Sequence, residues 1–417
     1  MTRSAAPLSA ALFAALTLLS GCESVSGPGD SEPISITDVD ARVVKGYTDF
    51  GFDVFRHLSE EEPDENIFFS GTSLAFALAM TYHGADGETR REMGHALGVE
   101  DVPVEEFNAS NAEWLGTLLD QPGDTELAIA NSVWARLGFP FESNFLERNE
   151  TFYRAAVEEV DFGDPATVEL INAWVSEQTH GRIDGIVEEI DPLDIMFLIN
   201  AVYFLGEWTH RFPEDGTSPE AFTFGDGTHG QVPMMTMRDT LEYHEAEGYQ
   251  AVRLPYGEDG RFAMYVFLPA PGSSLGAFYQ DLDGAEWERR IEGLEPSDLE
   301  LRLPRFTLEY EQSLIPALAA LGIEGAFDPS RSDFSLMTQA RDDLYISDVL
   351  QKTFVQVNET GTEAAAVTSV TISVTSMPSH PMMVVNRPFF FGIRDDHTGT
   401  ILFQGQITTP KDPEWEG

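Results

Sequence analysis

Cysteine is all but missing from the 417 residues; the sequence holds one, Cys22. A single thiol can neither close an intramolecular disulfide nor build a thiolate metal cage, so the fold has to stand on its apolar core. Lysine is nearly as scarce. Seventy-one acids face 24 bases, only three of the bases are lysines (Lys45, Lys352 and Lys411), and the formal charge is −47. No basic stripe exists to neutralise phosphates, which argues against nucleic acid as a partner. An acidic surface almost free of lysine keeps a protein hydrated and self-repelling where salt screens charge, and reads as adaptation to a saline medium; a ligand site that seeks acidic groups is the alternative.

Catalytic signatures are missing as well. The sequence contains no Gly-x-Ser-x-Gly elbow, no Walker loop, no dinucleotide-binding glycine fingerprint and no His-Glu-x-x-His. None of its nine histidines is paired at i, i+4. His180, His210 and His244 read as surface or structural groups, and carboxylate pairs such as Glu188-Glu189 or Glu245-x-Glu247 carry little information in so acidic a chain. The expectation is a protein that is not an enzyme and uses neither metal nor cofactor, with a hydrolase of unrecognised type as a remote alternative.

What is present begins with a globular composition, 42% hydrophobic and 11% aromatic. At the N-terminus Arg3 precedes an apolar run over residues 8–21 that is too short for a lasting membrane span. It stops at Leu19-Ser20-Gly21-Cys22, which resembles the lipobox of bacterial lipoproteins, where the cysteine is lipidated; an ordinary secretory leader with a chance cysteine is the alternative. Residues 23–36 are Ser/Gly/Pro-rich and read as a tether. The expected organisation is a leader over 1–21, a tether over 22–36, one domain over 37–411 and a tail over 412–417. Such a protein is exported and held to the membrane by a lipid on Cys22, facing outward or into the periplasm.

Periodicity predicts a helix capped by Asp40, a buried helix from about Ser73, a helix closing at Gly98, another over 168–180 ended by Gly181, and one over 311–322 with Pro316 as a kink or a late start. Strands are predicted at 195–204, 262–269, 299–306, 353–357, 382–385, 388–393 and 400–407. Helices crowding the first half and strands the second make the class α+β with a large sheet.

One stretch is out of place in such a protein. Residues 361–378 open with Ala364, Ala365 and Ala366, continue as a β-branched alternating run, and end at Ser376-Met377-Pro378 as an open loop. Every second residue (Thr362, Ala364, Ala366, Thr368, Val370, Ile372 and Val374) fits a core face. Glu363 and the other intervening residues fit solvent, with Val367 out of character.

Five segments, 66–93, 171–183, 198–208, 354–366 and 388–410, each resemble a serpin motif, in the right order across roughly residues 40–410. The resemblance implies the serpin fold: helices packed around a large, mainly antiparallel central sheet, smaller sheets, and an exposed reactive-centre loop. It also implies inhibition of serine proteases by suicide-substrate trapping, in which the cut loop inserts into the main sheet and carries the acylated protease with it. Residues Glu359, Gly361, Thr362, Glu363, Ala364, Ala365 and Ala366 match the loop hinge. Small side chains suit a leading end that must slide between strands, since a bulky or charged one costs on the order of 1–3 kcal/mol. Serpins that do not inhibit commonly carry charge or proline there; a non-inhibitory binding serpin is the alternative function.

Counting the family spacing from Gly361 places the reactive bond at Thr375-Ser376, whereas counting back from Asn386 gives Met377-Pro378. Proline after the bond blocks most serine proteases, so Thr375-Ser376 is favoured, with Val374-Thr375 and Ser376-Met377 as alternates. No arginine or lysine lies between Thr360 and His380, so the expected partner is an elastase-like or subtilisin-like protease, trapped by a monomer. Ser70, Ser73 and Asn200 match the family's shutter beneath the opening sheet, and Trp208 its breach. Two positions depart from the pattern: Gln351 replaces a shutter histidine, and Gly71 a proline. Both leave the strength of the latch open.

Overall fold

The computed structural model describes residues 39–119, 125–191, 194–338, 340, 344–362, 380–413 and 415. Helix α1 (Ala41–Glu61) starts where the Asp40 carboxylate accepts the Arg42 N–H at 2.9 Å, and Val43, Tyr47, Phe50, Val54 and Leu58 form its buried stripe. After the short strand β1 (Ile67–Phe69), α2 (Gly71–Tyr82) buries every one of its 12 residues and so runs through the core. Helix α3 (Gly87–Ala96) closes at Gly98, whose φ of +68° is the left-handed value glycine takes without cost. Then come α4 (Val104–Leu119), β2 (Glu126–Arg136), α5 (Ser143–Tyr153), β3 (Ala156–Val160), α6 (Ala166–Gln178) and β4 (Met196–Glu207).

The remainder is strand-rich: β5 (Ser218–Thr223), β6 (His229–Glu245), β7 (Tyr249–Pro255), β8 (Phe262–Pro269), β9 (Glu295–Pro304) and β10 (Phe306–Ser313), with α7 (Leu275–Tyr279) and α8 (Gly284–Ile291) between β8 and β9. Helix α9 (Ile315–Ala320), β11 (Leu350–Val357), β12 (Gly361–Thr362), β13 (Met382–Val384), β14 (Phe389–Asp395) and β15 (Thr400–Ile407) complete it. The helix predicted over 311–322 is present but shorter, and Pro316 marks its late start rather than a kink; only the residues before it are corrected. Glu311–Ser313 finish β10, laddered to Lys352, Gln351 and Leu350 of β11, and Pro316 sits in the first turn of α9, where its missing N–H costs nothing. Strands β1, β2, β3, β5, β6, β7 and β10 and helices α4, α5, α7 and α8 were not foreseen.

Two sheets hold the strands. A nine-stranded sheet has the order β1-β15-β14-β8-β7-β6-β9-β13, with β5 on β6; a six-stranded sheet has the order β10-β11-β12-β4-β2-β3. Strands β2 and β4 bury both faces. Ile129, Val133 and Val202 join the main core, while Ala130, Trp134, Ile199 and Ala201 pack beneath Ile171 and Val175 of α6. The helices-around-sheets class read from the sequence is the one observed.

One buried group gives the fold an acid-side weakness. His83, 2% exposed at the end of α2, lies against the rings of Phe145 and Tyr153, with centroids 5.1 and 6.0 Å away. Burial pushes its pKa down to about 4. The unfolded chain, with the usual histidine value near 6.5, therefore takes a proton that the native state refuses. Stability is complete above about pH 6.5 and falls as pH drops toward 4, by about 2 kcal/mol between pH 7 and 4.5. His83→Phe is expected to remove that part of the slope in denaturant unfolding at the two pH values. An unchanged slope would assign it to other groups.

Candidate functional site

The six-stranded sheet has a seam. Strands β11 and β4 run parallel and pair directly only at Gln351↔Asn200, Lys352↔Ala201 and Thr353↔Val202. Above that, β12 enters between them, antiparallel to both, with Thr362 opposite Val357 of β11 and Gly206 of β4. A strand in this gap turns a parallel pair into a continuous antiparallel ladder, which is the better hydrogen-bonded arrangement. Gly361 is fixed by space: a Cβ there would lie 2.2 Å from the Gly206 carbonyl oxygen. Thr362 is 1% exposed, and its hydroxyl meets that of Tyr256 at 2.7 Å.

The mouth of the seam is built around Trp208. Its indole N–H donates to the Asn358 carbonyl at 2.9 Å, its backbone N–H donates to the Thr360 carbonyl at 2.8 Å, and its ring stacks on Tyr256 at 4.4 Å. Asn358 shapes the turn into β12 by accepting the Thr360 and Gly361 N–H groups on its side-chain oxygen, at 2.9 and 3.2 Å. Glu359 is buried; its carboxylate accepts from the Thr217 hydroxyl and lies 3.7 Å from the Arg305 guanidinium.

Lower down, the first turn of α2 holds both strands of the seam. On the β11 side, the Gln351 amide forms a two-way clasp with Ser70: the Ser70 N–H donates to Oε1 at 2.8 Å and Nε2 donates to the Ser70 carbonyl at 3.0 Å. On the β4 side, the Ser73 hydroxyl donates to Asn200 Oδ1 at 2.5 Å, and Asn200 Nδ2 donates to Asn131 Oδ1 of β2 at 2.8 Å. The Ser70 hydroxyl donates in turn to the Leu402 carbonyl of β15 at 2.6 Å. All of these groups are buried and satisfied, as a polar latch in a core has to be. Gly71 has its own reason: a Cβ there would lie 2.5 Å from the Gly51 Cα, so the α1–α2 crossing admits no larger residue.

Ser70, Ser73, Asn200 and Gln351 are thus brought together in one cluster, and Trp208, Glu359, Gly361 and Thr362 in another. Glu363, Ala364, Ala365 and Ala366, the bond candidates Val374, Thr375, Ser376 and Met377, and Cys22 lie outside the described residues. Asn131, Tyr256 and Asn358 complete the two clusters and were not singled out in the sequence. Only Asn358 carries a local signal, an asparagine that opens a turn ended three residues later by Gly361. Among the described residues no group of three His, Cys, Asp or Glu side chains is arranged to hold a metal ion.

A family model described as "Serpin (serine protease inhibitor)" matches residues 45–410. Glia-derived nexin of Rattus norvegicus is 33% identical over 378 residues, covering 87% of this chain and 92% of that protein. Among solved structures, a thermophilic serpin, tengpin, in the native state superposes with a TM-score of 0.80 at 33% identity, over 89% of this chain and 95% of that one. Thyroxine-binding globulin in complex with thyroxine gives 0.81 at 26% identity, over 88% and 99%. Carrying its seam, hinge turn and latch within the matched span, the chain is a member of the serpin family.

Proposed function

We propose that the chain inhibits serine endopeptidases as a suicide substrate. A protease serine attacks the carbonyl of Thr375, Ser376 departs as a free amine, and the loop remains bound through an ester. The observation that carries this reading is the seam, already entered by Gly361 and Thr362 in the orientation an inserted strand needs. Continuing that register two residues at a time puts Ala364 between Val355 and Phe204, Ala366 between Thr353 and Val202, and Thr368 between Gln351 and Asn200. Every one of these positions belongs to the inner face, where small or β-branched side chains fit without overpacking. Insertion has to separate the three direct β11–β4 pairs, and the latch on α2 sets the cost of doing so.

The bond Thr375-Ser376, with Val374-Thr375 and Ser376-Met377 beside it, suits an elastase-like or subtilisin-like target. The residue 1–21 leader, lipidation at Cys22 and a 22–36 tether would hold the monomeric inhibitor on the outer side of a bacterial membrane in a saline habitat. The likeness to thyroxine-binding globulin keeps a second reading in view, a carrier that does not inhibit. To separate them, the chain is incubated with a pancreatic-type elastase and with a subtilisin. A boiling-resistant band at the summed mass is expected, with a released peptide beginning at Ser376. Clean cleavage by both enzymes with no such band refutes trapping and favours the carrier.

A further inference from the structure

A cleft of about 470 Å³ opens where the ends of β7 and β8 meet β13 and the turn into β14, in the nine-stranded sheet and not in the six-stranded one that carries the seam. Its volume lies in the range of small-molecule sites, about 300–1,000 Å³. Tyr249, Leu268, Pro271, Met382 and Val384 supply apolar wall. The cationic group in the lining is Arg387.

Arginines elsewhere in the same sheet are paired: Arg253 with Glu242 and Asp396, Arg302 with Glu220 and Glu300, and Arg394 with Glu288 and Asp396. Arg387 has no ion pair among the described residues. Its Nε and Nη2 donate to the Pro269 carbonyl at 2.9 and 2.7 Å, and Nη1 donates to Asn386 Oδ1 at 3.2 Å. Of the five N–H groups of a guanidinium, two are left without a protein acceptor among the described residues. Burial without a carboxylate lowers its pKa from the ordinary arginine value. In a chain with three acids for each base, an arginine held by neutral carbonyls in an apolar-walled cleft lacks the anion that such a group calls for.

We infer that this cleft binds an amphipathic organic monoanion, an acid group of the carboxylate or sulfonate type on an apolar body, with the acid on Arg387 and the body against Leu268, Pro271 and Met382. The two free N–H groups donate to the oxygens of an oxyacid, a charge-assisted pairing of the kind in which guanidinium is strongest. Glu245 and Glu247 also line the cleft and are exposed, so they repel a second negative charge and restrict the ligand to one. This site stands apart from the seam and does not depend on inhibition.

The test uses the full chain with anilinonaphthalenesulfonate, an apolar body carrying one sulfonate, followed by fluorescence at fixed ionic strength. One saturable site per chain is expected. Phenylnaphthylamine, the same body without the acid, is expected to bind roughly tenfold more weakly, as is R387Q. A270F, which fills the cleft and leaves Arg387 in place, is expected to abolish the site, and E247Q to tighten it about twofold at low salt. If R387Q does not fold, the neutral dye and A270F decide. Equal affinity for the charged and neutral dyes, undiminished binding by A270F, or no saturable site on the wild-type chain would each overturn the assignment.

Discussion

If the chain traps proteases as proposed, Thr362→Arg is expected to leave it a plain substrate. Thr362 is 1% exposed, between Val357 and Gly206, with its hydroxyl on Tyr256. A guanidinium at that position faces the core, where the buried carboxylate of the cluster, Glu359, is already engaged by Thr217 and Arg305, and an unpaired buried charge costs several kcal/mol. The strand can avoid that cost by leaving the seam. Loop insertion then stalls at its first step while hydrolysis of the acyl-enzyme keeps its own rate. Each ~1.4 kcal/mol added to the insertion barrier shifts that competition about tenfold. The number of inhibitor molecules consumed per protease trapped is therefore expected to rise by at least ~10-fold. Only a two-residue strand is disturbed, so the melting temperature is expected to stay near that of the native chain. Thr362→Val, which keeps shape and loses one hydroxyl, is the control and traps nearly as well. If Thr362→Arg forms the boiling-resistant complex in wild-type yield, β12 is not where insertion begins.

The contrast between Thr362 and its partners shows which parts of the site a sequence can display. Thr362 was legible because the loop is one contiguous segment, and its alternation states a face wherever a period of two is unbroken. The long periodic elements were legible for the same reason: the stripe of α1, the apolar run over 74–80 of α2, and the run Phe262–Pro269 that became β8, buried at every position. Tyr256, by contrast, meets Thr362 across 106 residues, Trp208 meets Asn358 across 150, and Gln351 meets Ser70 across 281. No local pattern marks such a pair; only the register of β4, β11 and β12 creates it. Glu311–Ser313 failed differently. The segment suits a helix, but the ladder to β11 satisfies its backbone first, and tertiary pairing overrides local preference. Gly71 looked like a lost proline and proved to be a packing requirement set by Gly51, a residue the family motif does not include.

Gln351→Ala is expected to loosen the latch and, on the proposed trapping function, to shorten the life of the form that inhibits. The Gln351 amide satisfies the Ser70 N–H, which sits between β1 and α2 at 1% exposure with no other acceptor in the cluster. The Ser70 carbonyl keeps its helix bond from the Leu74 N–H, so one buried donor, not two groups, is orphaned. That omission, with the small cavity, costs about 2 kcal/mol, or about 2.5 °C in melting temperature for a domain of this size. Because β11 is then released from α2 while β4 keeps its Ser73–Asn200 bond, the seam opens from one side. Inhibitory activity is expected to decay faster at 37 °C than in wild type, and more than the melting shift alone would give. A glutamine does not titrate, so the native latch contributes nothing to pH dependence. Gln351→His reverses that: neutral imidazole can accept from Ser70 with one nitrogen and donate with the other, whereas imidazolium can only donate. The folded pKa of that histidine is therefore held below 6.5, and its stabilisation, complete above pH 6.5, is lost as pH falls through the folded value. Melting curves of wild type and Gln351→His at pH 8 and pH 5 measure it, since the His83 contribution is common to both chains. A difference between the two proteins that does not widen at pH 5 would show that the clasp on Ser70 is not what holds β11.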